Sequence, residues 1–535
     1  MTPPARRGVA VAFALALGAL VLLPGGSGLP GDPTIDVWTH AWGLDWVARS
    51  LASGALPTAT DLLAHPRGGT LTPADPFGAL LVAPVTLALG AARAMWAEVW
   101  LQLLLAALAG WAYGEALGRG GGPVGAVVCA TSPTFLAEVH NGILEANWIG
   151  LVALAGAAAA RGHRATPWIV AVAGLASPYH GVAATAVAAC HLVARGERRA
   201  LAASVIAGAL GVGLATAGLR LGFGGDVPLE IKAPGLQEPT LRINAVDPRD
   251  FGWPGDHWTV RTELGAESRF RRTAYLGWTL LILAAVGARR SPGAPLRLLV
   301  CALAMLAALG PYLWWGDNFF RTGGGARLAL PLRAAYTAGI ALDHPLRFLG
   351  AAIVLLGGLA ATGAGRFGPV AAAVVLAENL LFAPNVWPLV RSAAEVPEVY
   401  ARLPDDGRAV IDLPAQVGNT MRTGAYLYWQ TSHRRPLPYT LKPSARVPSA
   451  NAALRRWLAL SSGGPPPAAP GMQLVTEDPV GALAREGYGW VVLHPSMCPD
   501  EAAVRRHLDG VGASLGAPRE VAGAWVWEIS EAAAR

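Results

Sequence analysis

Lysine is almost missing from this chain. Only Lys232 and Lys442 occur among 535 residues, and all charged types together make up 14%. A soluble domain carries roughly a quarter. So little charge, beside 53% hydrophobic residues and a mean hydropathy of +0.40, excludes an ordinary soluble protein and points to a polytopic membrane protein. Cysteine is scarce too. Cys129, Cys190, Cys301 and Cys498 show no metal spacing, and three lie in apolar runs, so no disulfide framework is expected. There is no Walker pattern, no GxGxxG after a strand, no HExxH, no Ser-His-Asp order and no solenoid repeat. The net charge of +7 is not a nucleic-acid signal, because many arginines sit at the ends of apolar runs, where topology requires them.

What is present is a series of apolar runs, at about 8–24, 76–92, 95–117, 122–138, 143–160, 165–177, 181–194, 199–219, 273–288, 295–314, 346–362 and 367–388. A crossing needs roughly 20 apolar residues. Arg6 and Arg7 precede the first run; a cleaved leader would look similar, but no small-x-small site follows, so an anchor is expected. Placing Arg119, Arg161, Arg164, Arg195, Arg198, Arg199, Arg289, Arg290, Arg297 and Arg366 inside closes the topology only if 76–92, broken by Pro84, does not cross. That leaves eleven crossings, with the N-terminus inside and the C-terminus outside. Residues 25–94, 139–142, 178–180, 220–272, 315–345 and everything after about 390 then lie outside. Residues 1–390 form a transmembrane domain. Residues 391–535 differ in kind: 408–414, 489–495 and 524–530 read as strands, and 452–460 and 501–511 as amphipathic helices, an extracytoplasmic α/β domain.

Three outward-facing segments carry chemistry. In GDPTIDVWTHAW, Asp32, Asp36 and His40 are spaced four apart and would share one face if helix begins near Asp32. Such a face can act as base and orienter or hold a divalent metal; equally, it can be the solvated side of an interfacial helix carrying Trp38, Trp42 and Trp46. Glu138, His140 and Glu145 sit at the junction of two membrane helices, where ionisable groups are costly, unless the junction is simply a wet turn. Tyr179 and His180 follow Pro178 in a break between two short runs, either a cavity wall or a hairpin turn. Arg269, Arg271 and Arg272 run against the positive-inside trend and could hold a lipid phosphate, or form a solvated charge run. The segment 425–440 mixes aromatics with His433, Arg434 and Arg435, and could dock the C-terminal part or line a sugar site.

The order of GDPTIDVWTHAW, HPRGGTL, AVIDLP and AYLYWQTSHRRPLPY resembles the GT-C superfamily of integral membrane glycosyltransferases, along nearly the whole chain and through loose motifs. Within it, the chain resembles bacterial members akin to polyprenyl-phosphate-sugar-dependent mannosyl- and aminoarabinosyl-transferases. The resemblance implies inverting transfer of a sugar from a polyprenyl-phosphate donor to a glycan, lipid or protein acceptor on the outer face of the cytoplasmic membrane. It gives a first-loop acid, Asp32 or Asp36, the role of base or metal ligand, and Glu138 or Glu145 that of assisting acid. Asp36 and His140 are candidate ligands if a divalent metal is needed. His40, Glu138, His140, Tyr179, His180 and the Arg269, Arg271, Arg272 cluster are candidate substrate contacts. Two other readings compete: a non-catalytic scaffold on the same frame, and a transporter of lipid-linked saccharide, which would want ionisable residues deep in the spans and an internal repeat.

Overall fold

A computed structural model of the chain describes residues 3–23, 28–71, 75–223, 244–254, 273–316, 318–337, 344–381, 387–417, 421–441, 449–461 and 474–530. The apolar runs are helices nearly throughout. Their order is α1 (Pro3–Leu22), α2 (Val37–Ala52), α3 (Pro76–Leu89), α4 (Ala91–Leu117), α5 (Gly122–Thr131), α6 (Pro133–Asn141), α7 (Ile149–Ala160), α8 (Thr166–Ala176), α9 (Pro178–Ala194), α10 (Arg198–Phe223), α11 (Trp278–Arg290), α12 (Ala294–Ala308), α13 (Leu349–Ala364) and α14 (Gly368–Leu381). Proline stands in the first turn of α3, α5, α6, α8 and α9, where its missing N–H costs nothing. Pro84 lies inside α3, as expected from the sequence.

Among the described residues, four segments are long and apolar enough to cross a membrane: Ala91–Leu117, Gly122–Asn141, Arg198–Gly218 and Pro345–Leu381. The other apolar helices, including Ile149–Ala160 and Thr166–Ala176, are shorter. The helices pack backbone to backbone where side chains are absent. Gly110 of α4 and Gly125 of α5 face each other so closely that a β-carbon on either would strike the other's carbonyl oxygen. Small residues allow this approach between membrane helices, where packing replaces the hydrophobic drive.

After α14 the chain turns back onto the first loop. Strand β1 (Leu29–Pro30) pairs antiparallel with β2 (Arg391–Ser392). Beyond it, β3 (Ala409–Leu413), β4 (Tyr488–Leu493), β5 (Arg519–Val521) and β6 (Ala524–Glu528) make a sheet of order β3-β4-β6-β5, parallel only between β3 and β4. Three of these strands lie where strands were expected, and helices Ala452–Ala459 and Glu501–Leu515 where helices were expected. Helix α15 (Ala425–His433) lies against α2: Trp42 donates from Nε1 to Gln430 Oε1 at 2.6 Å, and Arg434 grips Asp45 with two bonds of 2.6 and 3.0 Å. Trp38, Trp42 and Trp46 are therefore only 5%, 2% and 6% exposed. The lipid-facing role read from these tryptophans is not what the fold gives them, because the C-terminal segment covers the helix on which they sit.

Candidate active site

The site begins with two glycines. Gly31, at φ +130°, and Gly142, at φ +72°, adopt backbone conformations that side chains disfavour. A β-carbon on Gly31 would lie 2.9 Å from Gly142 Cα, and one on Gly142 would lie 2.7 Å from Val37 Cα. The loop after α1 thus presses on the turn after α6. Asp32 N donates to the His140 carbonyl at 2.8 Å as a result, and the two side chains face each other with Asp32 Oδ2 4.0 Å from His140 Nε2. Both residues are buried, at 0% and 1% exposed.

Asp32 Oδ1 accepts from Thr34 N at 2.9 Å and from Thr34 Oγ1 at 2.6 Å, while its Oδ2 is buried without a hydrogen-bond partner. An orphaned carboxylate oxygen in a buried site is costly, and so makes Asp32 a candidate for function rather than for stability. Helix α2 begins only at Val37, so Asp32 is not stacked above Asp36 and His40 on one helical face as the spacing suggested. The turn at 33–36 intervenes and aims Asp32 at His140. Asp36, half-buried, is the N-cap of α2 and makes no side-chain capping bond.

His40 points elsewhere, its Nε2 lying 3.4 Å from Glu145 Oε2. The other oxygen of Glu145 accepts from Arg347 Nη2 at 2.9 Å. Burial on its own would raise the Glu145 pKa, but Arg347, and then His40, outweigh it and hold the group below the usual carboxylate range. The Arg347 guanidinium also lies 5.7 Å from the ring centre of Tyr179 and within electrostatic reach of Glu138. Tyr179 Oη accepts from His344 N at 2.9 Å, and buried His180 lies within electrostatic reach of Arg347 and Glu145. The three polar segments of the sequence, first loop, α6 turn and α8–α9 break, meet here. Arg269, Arg271 and Arg272 lie outside the described residues.

Sequence reasoning missed the residue that joins them. Arg347 stands at the start of an apolar run, at the end the expected topology puts outside, where arginine runs against the positive-inside trend, and that was the available signal. It also missed an acid pair beneath the loop. Asp75 caps α3, accepting from Gly78 N at 2.7 Å, and Glu98 sits within α4; they are 3% and 0% exposed.

Among the described residues, no group of three or more His, Cys, Asp and Glu side chains is placed to hold a metal ion. Asp32 Oδ2 and His140 Nε2, 4.0 Å apart, stand further from each other than two ligands bonded at about 2 Å to one ion at a tetrahedral angle, so the pair as placed does not fit a metal ion. It is Asp32, fully buried, that faces His140; Asp36 lies beyond the turn.

No family model matches the chain, and no curated protein matches it. Solved structures do. Arabinofuranosyltransferase AftD from Mycobacteria, in a variant form, is 16% identical over 98% of this chain and 41% of its own, with a TM-score of 0.50. Archaeal oligosaccharyltransferase AglB from Archaeoglobus fulgidus, solved with an inhibitory peptide and a dolichol-phosphate, is 11% identical over 94% of this chain and 70% of its own, TM-score 0.46. ArnT from Cupriavidus metallidurans is 12% identical over 99% of each chain, TM-score 0.40. The structural neighbours are GT-C glycosyltransferases. At these identities the likeness is one of fold, and the chain spans about 40% of the length of AftD.

Proposed function

We propose that this membrane protein transfers a sugar from a polyprenyl-phosphate donor to an acceptor on the outer face of the cytoplasmic membrane. One observation carries the reading: the first loop, the turn after α6 and the chain just before α13, far apart in sequence, converge on one buried site through Asp32–His140 and through His40–Glu145–Arg347. Residues 1–390 would form the eleven-crossing part, and residues 391–535 an extracytoplasmic α/β domain clamped on the first loop.

The reaction would be a direct displacement. The acceptor oxygen bonds to the anomeric carbon, the bond from that carbon to phosphate oxygen breaks, and the electron pair leaves with the polyprenyl phosphate, so the anomeric centre inverts. Asp36, half-buried and without a capping bond, takes the acceptor hydroxyl proton. Asp32, whose buried Oδ2 faces His140, is the other first-loop acid able to serve as base. Glu145, fixed between His40 and Arg347, assists in orienting the sugar, with Glu138, Tyr179 and His180 near Arg347 as further substrate contacts. Arg269, Arg271 and Arg272 complement the charge of the departing phosphate.

Native mass spectrometry of the detergent-purified protein tests the donor class. The expected result is a co-purifying polyprenyl phosphate or its glycosylated form. Bulk phospholipid alone, even after polyprenyl phosphate is added, would favour a scaffold over an enzyme.

A further inference from the structure

We infer that Asp75 and Glu98 share a single proton, carried by Glu98 and donated to Asp75, and that this pair is the mount that presents Glu145. Geometry argues for it from both sides. A β-carbon on Gly78 would collide with Glu98 Oε1 and lie 2.8 Å from Asp75 Oδ2, so the two carboxyl groups crowd one point with no cation between them among the described residues. Two carboxylates in contact away from water cannot both ionise. Asp75 is the member built as an anion: its Oδ1 accepts from Gly78 N at 2.7 Å and its Oδ2 from Trp148 Nε1 at 2.9 Å. Glu98 receives one N–H, from Gln102 Nε2 at 3.1 Å, and its second oxygen is buried without a hydrogen-bond partner. The proton therefore resides on Glu98.

The same bonds hold the loop. Gln102 Nε2 donates on to the Leu144 carbonyl at 3.0 Å, and Trp148 is gripped by Asp75, so the pair fastens the chain one residue before Glu145 and three after it. Burial pushes the Asp75 pKa up, bonds from Glu98, Gly78 and Trp148 counter it, and the charge of Glu145 adds to the rise. The titratable groups facing the pair are thus each other and Glu145, which itself answers to His40 and Arg347. With both acids ionised, the added charge would work against the anionic Glu145. Asp75 and Glu98 act through Glu145, so they are positioning residues. Their effect on transfer rests on the function proposed above; the shared proton does not.

The test is an infrared difference spectrum, parent minus Glu98→Gln, in liposomes at pH 7, read with transfer rates on the same samples. The amide of Glu98→Gln keeps an N–H donor toward Asp75 but sets it against the Gln102 N–H, so the expected result is loss of one protonated-carboxyl band with a smaller fall in transfer than Glu98→Leu gives. Asp75→Asn and Glu98→Leu break the mount and lower transfer on the order of 10²-fold, as an ångström-scale misplacement does. Retention of the band in Glu98→Gln, or tolerance of Asp75→Asn with loss in Glu98→Gln, overturns the assignment. If Glu98→Gln does not fold, the parent decides alone: the band persists at pH 8, well above the ordinary carboxyl pKa of about 4, and its absence refutes the shared proton. A band present in a protein that transfers no sugar would leave this inference standing and sink the function instead.

Discussion

Removing either half of the Glu145–Arg347 pair should cost more than removing both in proportion. The two side chains are 22% and 7% exposed and meet at 2.9 Å. At an effective dielectric of about 20, unit charges 4 Å apart attract by about 4 kcal/mol. Desolvation consumes much of that in the intact protein, but a single substitution leaves the surviving charge buried without its partner, at a cost of about 3–5 kcal/mol. Because Glu145 keeps some exposure and retains His40, the lower end applies, about 3 kcal/mol for Arg347→Met. Glu145→Gln strands Arg347 beside Tyr179 and should cost a similar amount. The double variant removes both charges together, so its cost should stay near about 3 kcal/mol rather than reach about 6, a coupling of about 3 kcal/mol or roughly two factors of ten in equilibrium. Reversible unfolding of the three variants and the parent in mixed micelles measures the cycle. Costs that add to within about 0.5 kcal/mol would show that the pair is not coupled and would remove the link between the α6 turn and the residues leading into α13.

Three further outcomes follow from the same structure. Gly142→Ala should destabilise by about 2 kcal/mol or more, through a left-handed backbone and contact with Val37, and should slow transfer by parting Asp32 from His140. Gly43→Ala, inside α2 with nothing within 4 Å, should do the opposite and stabilise by about 0.5–1 kcal/mol; equal effects in unfolding assays would refute the contact argument. Burial pushes the His433 pKa down to about 4; Asp412 opposes this and Arg435 and Arg434 reinforce it. The folded value is below the unfolded value of about 6.5, so the unfolded chain binds the extra proton between them. Stability from this group is full above pH 6.5 and is lost as pH falls toward 4, and His433→Asn should flatten the unfolding midpoint across that window.

Much of the helix pattern was legible because a membrane helix announces itself by composition along a single run. The break at Pro178 and the proline inside α3 were legible for the same local reason. The candidate site was legible only in pieces. Each polar segment stood out against an apolar background, but the arginine that joins two of them is 202 residues from Glu145, and no local pattern encodes that distance. Helix α2 shows the limit of pattern from the other side. Its tryptophans suit a headgroup layer or a protein interior equally well, and what decides is Gln430, 388 residues away. Glu98 was passed over because a lone acid hardly lowers the hydropathy of a 27-residue helix, and Asp75 because its partner lies on that helix. The start of α2 misled for a simpler reason: four-residue spacing predicts a shared face only where helix exists, and Asp32 precedes it.

The most direct test of the central claim is sugar transfer itself. Purified protein in liposomes would be supplied with a panel of radiolabelled polyprenyl-phosphate sugars and an acceptor-bearing envelope fraction, beside Asp32→Asn and Asp36→Asn variants of verified fold. Label should pass from at least one donor to acceptor, with free polyprenyl phosphate released, and either substitution should lower the rate on the order of 10²-fold or more. Transfer at the parent rate in both variants would show that the converging site is not where the chemistry occurs.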